Sequence, residues 1–196
     1  YTNEYFFEGN ILYQLLNQFK NNDNLFIGNS LPVRTLEKFC PNLDKKIMVH
    51  SNRGASGIDG LIATAIGTAH SHTSKTTLIL GDISFFYDSS SLLIANKYKI
   101  DINIIVINNK GGQIFSKLPY AKNNIKNFEE FWTTPVDLSI KKISQLYKAN
   151  YTMLNSIEKI NKQLKAALRK SGINIIEILC DFNKTLEIEQ KIEKEF

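Results

Sequence analysis

Apolar positions along this chain follow two alternating rhythms. Ile11, Leu12, Leu15, Leu16 and Phe19 recur at the spacing of one helix face, starting near Glu8. Residues 25–27 form a short apolar strand that ends at Gly28. Residues 31–39 have the pattern of a short helix, with Pro32 tolerated in its first turn. Residues 47–50 are a second strand. Ile58, Leu61, Ile62, Ala65, Ile66 and Ala69 then mark one helical face, and Ser56 with Asp59 has capping-box spacing, Asp replacing Glu. Residues 76–80 are a third strand, followed by Gly81-Asp82 and a helix to about Lys97. Residues 102–107 are a fourth, nearly all β-branched, as suits a parallel strand covered on both faces. A helix over 138–147 leads to a strand at 150–154, and a helix over 156–170 leads to a strand at 173–180. Strands alternating with helices predict an α/β fold: an open, mainly parallel sheet with helices on both faces. Only 111–136 breaks the rhythm. It contains Pro119 and Pro135, and its Phe128, Phe131 and Trp132 argue for order.

Composition narrows the class. The 196 residues suit one domain spanning 1–196, and no apolar run approaches the ~20 residues of a membrane span. The chain starts at Tyr1 with a helix almost at once, which suggests a piece of a longer chain. Cys40 and Cys180 stand 140 positions apart, as in a reduced, intracellular protein. The net charge of +5 invites a nucleic-acid partner, but the lysines are spread along helix faces with Glu nearby, so neither nucleic acid nor membrane is expected.

The candidate chemistry sits where parallel sheets bind ligands, beyond the carboxyl ends of the strands. Four strand ends carry small or polar loops: Gly28-Asn29-Ser30, the stretch from Ser51 to Gly57, Gly81-Asp82, and Asn108-Asn109-Lys110-Gly111-Gly112. Asp82 between a strand and a helix start brings a carboxylate to a place that favours phosphate. The two repel unless a cation lies between them, and magnesium takes such mixed oxygen ligands. An Asn amide and a glycine carbonyl are the hard neutral donors that complete its shell. His70-Ser71-His72 at a helix end is read as structural. His50, ending a strand beside the site, keeps a small claim as a base.

Gly81-Asp82-Ile83 is followed by 24 residues and then Asn108-Asn109. This spacing resembles the thiamine-diphosphate signature, with Ile83 where Gly is usual. Together "SNRGASGIDG", "GDISFFYD", "NNKGGQIFSKLP" and "FIGNSLPVR" resemble the C-terminal cofactor domain of the 2-succinyl-5-enolpyruvyl-6-hydroxy-3-cyclohexene-1-carboxylate synthase family. The resemblance implies the thiamine-diphosphate-binding fold, thiamine diphosphate with Mg2+ (Mn2+ as substitute), and a role in menaquinone or phylloquinone biosynthesis. The reaction implied is decarboxylation of 2-oxoglutarate and addition of the resulting carbanion to isochorismate. It places metal ligands at Asp82, Asn109 and Gly111. Cofactor contacts fall at Ile58, Gly81, Ser84, Phe85, Gln113 and Ile114, with Ile58 as the apolar wedge and Ser84 and Phe85 offering backbone N–H groups. Ser30, Arg34, Arg53 and Phe115 would face the substrates, Arg being suited to carboxylates. No catalytic residue is expected in this chain. The family's glutamate belongs to an N-terminal pyrimidine-binding domain from a partner subunit of a homodimer or homotetramer, so the chain alone is expected to bind cofactor weakly. The compartment implied is a bacterial cytoplasm or a plastid. Two alternatives stay open: an acetohydroxyacid synthase or 2-oxoacid decarboxylase domain, and a non-catalytic α/β nucleotide-binding module, although neither phosphate-loop glycine motif occurs.

Overall fold

The two rhythms become six strands and eight helices in a computed structural model, which describes residues 5–40, 44–52, 54–119, 121 and 125–195. The strands are β1 (Asn24–Ile27), β2 (Met48–His50), β3 (Thr76–Gly81), β4 (Ile102–Asn108), β5 (Asn150–Leu154) and β6 (Ile173–Leu179). The helices are α1 (Glu8–Asn17), α2 (Leu31–Phe39), α3 (Leu61–Ser71), α4 (Asp82–Asp88), α5 (Leu92–Lys97), α6 (Ile140–Leu146), α7 (Ile157–Leu168) and α8 (Phe182–Glu195). All strand pairs are parallel, in the order β2-β1-β3-β4-β6-β5.

Alternating side chains divide the core into two layers. Leu25, Ile27, Ile79, Ile105, Ile107, Ile176 and Ile178 pack against α1 and α7. Phe26, Leu78, Leu80, Ile104, Val106 and Ile175 pack against α3, α5 and the start of α6. Every residue of β4 is buried, because it lies mid-sheet with helices above and below. The chain runs outward from β1 to β2, then returns across β1 to β3 and continues the other way. That reversal opens a crevice between the carboxyl ends of β1 and β3.

Two expectations are corrected and one further helix is added. The capping box at Ser56 and Asp59 does not form. α3 starts later, after Gly60 at φ 69°, without a side-chain cap from that residue. Asp88 of α4 does the capping instead, accepting from the N–H groups of Ile62 at 2.6 Å and Ala63 at 2.9 Å. Ile58 therefore sits in a loop rather than on the α3 face. The helix expected from Asp82 to Lys97 breaks into α4, a 3-10 turn at Ser89–Ser91, and α5. The break falls where Asp88 turns its carboxylate toward α3, with its other oxygen accepting from Ser91 Oγ at 2.6 Å. Finally, α8 was not anticipated beyond Cys180. It is held by a Glu189 carboxylate between Lys117 at 2.8 Å and Lys38 at 3.5 Å.

Within 111–136, the described residues form a 3-10 turn (Phe115–Lys117) and a π-helix (Glu129–Thr133). Trp132 stacks on Phe128 and meets Phe115 edge-on, with ring centroids 6.0 Å and 5.6 Å away. Phe131 points outward at 68% exposure and plays no part in that cluster. Cys40 and Cys180 are both free and buried.

Candidate functional site

A cavity of about 450 Å³ opens at the carboxyl edge of the sheet, at the crevice between β1 and β3. All four predicted loops reach it, through Ser30, Ser56, Asp82 and Asn109 among others. Parallel register explains the convergence, since equivalent strand ends lie side by side and their loops share one rim.

Asp82 is the first residue of α4 and is only 3% exposed. Its Oδ2 accepts from the Gly111 N–H at 2.8 Å, which ties the β3 loop to the β4 loop. Burial raises its carboxyl from an ordinary 3.8 to about 6, against backbone N–H groups of Gly111 and Ile83 that pull it down. A buried carboxylate held this high is short of positive charge.

Gly111 has φ 120°, and a Cβ there would stand 2.4 Å from the Thr133 carbonyl oxygen. Only glycine fits. Gly112 N–H donates to that same oxygen at 2.6 Å, so the π-helical segment is clamped onto the loop. The Gly111 carbonyl accepts from Gln113 N–H at 2.8 Å and keeps its second lone pair. Gln113 spends its amide locally, donating to the Lys110 carbonyl at 3.2 Å and accepting from Ser116 Oγ at 2.9 Å.

Asn108 ends β4, Asn109 follows it, and their side chains take different partners. Asn108 Nδ2 donates to Glu177 Oε1 at 2.6 Å, and Glu177 also accepts from the Tyr151 hydroxyl at 2.5 Å. Asn109 Nδ2 donates to Glu8 Oε1 at 2.8 Å. Glu8 comes from α1, lines the cavity and is 3% exposed. Burial pushes its carboxyl up, while Asn109 and Lys117 pull it down.

The remaining predicted residues divide. Gly81, Ser84, Ile114 and Phe115 line the cavity, as do Ile58, Ser30 and Arg34. Ser30 has φ 73° and ψ −135°, a conformation costly for a residue with a side chain. Arg34 braces it by donating from Nη1 to the Ser30 carbonyl at 2.7 Å. The Phe85 side chain is fully buried in the core, and Phe85 is not among the residues that line the cavity. Arg53 lies outside the described residues. His50 is corrected: its ring meets Asn24 Oδ1 at 3.3 Å and stands 5.7 Å from the His72 ring, away from the cavity. Glu8, Tyr87 and Trp132 line the cavity without having been anticipated. Glu8 is 101 positions from Asn109, and no local spacing announces that pair.

The donor set is one carboxylate with neutral amide and carbonyl oxygens. Among the described residues no group of three His, Cys, Asp or Glu side chains is placed to hold a metal. One carboxylate with neutral oxygens suits a hard cation that shares its shell with phosphate. A cradle where a Cβ cannot fit, beside a charge-starved carboxylate, is consistent with such a guest.

Residues 37–178 match the family described as thiamine pyrophosphate enzyme, C-terminal TPP binding domain. A protein of Oceanobacillus iheyensis is 39% identical over 187 residues, covering 93% of this chain and 31% of the relative. One of Bacillus velezensis is 38% identical, covering 89% of this chain and 30% of the relative. One of Listeria monocytogenes serotype 4b is 38% identical, covering 87% and 29%. All three are named 2-succinyl-5-enolpyruvyl-6-hydroxy-3-cyclohexene-1-carboxylate synthase. The chain thus spans roughly 30% of the length of these relatives. An X-ray structure assigned to a thiamin diphosphate-dependent enzyme of Mycobacterium smegmatis superposes with TM-score 0.68 at 17% identity, covering 90% of this chain and 32% of that one. At that identity the likeness concerns the fold.

Proposed function

This chain belongs to the family of C-terminal TPP-binding domains of thiamine pyrophosphate enzymes, and from that premise we propose that it forms the cofactor-binding part of a 2-succinyl-5-enolpyruvyl-6-hydroxy-3-cyclohexene-1-carboxylate synthase. The observation that carries the reading is the meeting of Asp82, Asn109 and Gly111 on one cavity wall, from loops 29 positions apart in sequence at the closest hydrogen bond. Asp82, the Asn109 amide oxygen and the Gly111 carbonyl would hold Mg2+, or Mn2+ in its place. The backbone N–H groups of Ser84 and Phe85 would meet the diphosphate, with Gly81, Gln113 and Ile114 around it. Ile58 would support the cofactor from below.

Thiamine diphosphate, when bound, would supply the electron sink for the carbanion left by decarboxylation of 2-oxoglutarate. The chain's own residues do the positioning. Ser30, with its braced backbone, Arg34 and Arg53 would orient the carboxylates of 2-oxoglutarate and isochorismate. Phe115, set edge-on against Trp132, would form an apolar wall that keeps water from the reacting centre. The pyrimidine-binding glutamate would come from an N-terminal domain, supplied by a partner subunit in a homodimer or homotetramer. Because the relatives named above are bacterial, a bacterial cytoplasm is the compartment we favour over a plastid.

Calorimetry with thiamine diphosphate and Mg2+ tests the reading. Binding should depend on Mg2+ and be lost in Asp82→Ala. Binding of equal strength in the variant would overturn the metal assignment.

A further inference from the structure

Resting on the reading of Asp82, Asn109 and Gly111 as a cation site, we propose that Glu8 is a positioning residue that fixes which end of the Asn109 amide faces the cation. The two ends of an asparagine amide are nearly the same size and opposite in character. The oxygen end ligates a hard cation; the NH2 end repels it. A metal loop that uses asparagine therefore needs something to choose the rotamer.

Glu8 makes that choice by chemistry. As a carboxylate Glu8 only accepts, so the end of Asn109 that meets its Oε1 at 2.8 Å is the NH2. The amide is planar, and holding Nδ2 against α1 turns Oδ1 to the other side of Cγ. Just past the end of β4, Asn109 is held toward α1 by Glu8, while Asn108, the last residue of the strand, is held separately by Glu177. Each amide of the pair thus has its own buried carboxylate, and the two do not compete.

A purely structural partner for Asn109 has a cheaper solution. Glu8 is 3% exposed, and among the described residues no cation stands within ion-pair distance of it. Burying an unpaired carboxyl group costs more than burying an amide. Glutamine would fill the same volume and make a hydrogen bond, but it could meet either end of Asn109. What glutamate adds is the discrimination. It also places negative charge behind the ligand, which strengthens the Asn109 carbonyl as a donor, as outer-shell carboxylates do elsewhere.

The test uses the full-length enzyme proposed above, with Mg2+ titrated calorimetrically at fixed thiamine diphosphate, and thermal unfolding followed without either ligand. Glu8→Gln should weaken Mg2+ binding roughly ten- to hundredfold, with cation-free unfolding unchanged or moved upward. The control is Asn109→Asp, whose two carboxylate oxygens are equivalent and need no orientation. In that background Glu8→Gln should have no weakening effect. An equal loss in both backgrounds, or none in either, overturns the positioning role. Should Glu8→Gln unfold the protein, Glu8→Asp replaces it, with weakening in the Asn109 background but none in the Asp background. Retained Mg2+ binding in Asp82→Ala would instead show that the underlying site reading had failed, whatever Glu8 does.

Discussion

Asn103 at the amino edge of the sheet and Asn109 just beyond its carboxyl edge use the same residue type in opposite ways. At the amino edge, Asn103 donates to Thr77 Oγ1 at 3.3 Å and to the Leu168 carbonyl at 3.2 Å. Its Oδ1 accepts from Asn174 at 3.0 Å, and Asn174 Oδ1 accepts from Asn150 at 2.9 Å. Both ends of each central amide are spent within the protein, and the ladder joins β3, β4, β6 and β5. Beyond the carboxyl edge, Asn109 is held by one end only among the described residues, and it lines a cavity. An asparagine satisfied at both ends stabilises a sheet. One satisfied at a single end, beside a buried carboxylate, is prepared for something else.

The largest expected effect is at Asp82. Asp82→Ala should weaken Mg2+-dependent thiamine diphosphate binding by more than about a hundredfold, a scale set by losing one charged ligand. Its cation-free thermal unfolding should not fall, because a costly buried charge has gone. A drop in unfolding temperature without loss of binding would make Asp82 resemble the amino-edge residues and erase the contrast.

Gly111→Ala comes next. The new methyl meets the Thr133 carbonyl oxygen and the backbone holds a positive φ, so it should cost about 1–3 kcal/mol of stability and reduce cofactor affinity as the loop shifts. Chemical denaturation together with calorimetry measures both. An unchanged pair of values would show that the loop tolerates a side chain.

The Asp82 carboxyl also predicts a pH dependence. Its value of about 6 lies above the ordinary 3.8, so the cation-free folded state keeps a proton that the unfolded chain has released. That contribution to stability is full below the ordinary value and is lost as pH rises through about 6. Cation binding needs the ionised form, so Mg2+ affinity should fall about tenfold per unit as pH drops below 6. Flat affinity between pH 5 and about 7 would remove Asp82 from the shell.

Asn103→Ala is the smallest effect and the mirror of the first. Breaking the ladder should cost about 1–3 kcal/mol of unfolding free energy and leave cofactor affinity within about twofold, because the two edges share no partner. Denaturant titration and calorimetry check it, and a large affinity loss would mean the two edges are coupled.

Where a structural preference is local, the chain already announced it. Short apolar runs and an unbroken β-branched run located the strands, and the limits of α2 and β5 were legible to the residue. Here the side chains that make an element also mark its edges. The Asp82–Asn109 pair was legible for the same reason, as strand-end residues of unusual chemistry at a family's spacing. The α3 cap was not, because the carboxylate that satisfies Ile62 and Ala63 comes from Asp88, not from the nearby Ser56 and Asp59. Nor was α8, whose docking depends on two lysines far upstream meeting Glu189.

By itself, then, the sequence determined the parallel α/β sheet, the four loops and the residues here proposed to meet a cation, since local preferences act over a few residues. Only the tertiary structure decided which asparagines are fully spent and which keep an end for a ligand. That choice belongs to partners such as Glu8 and Glu177, 101 and 69 positions from the amides they hold. A hydrogen bond has direction, and an amide acquires one only when folding puts an acceptor beside it.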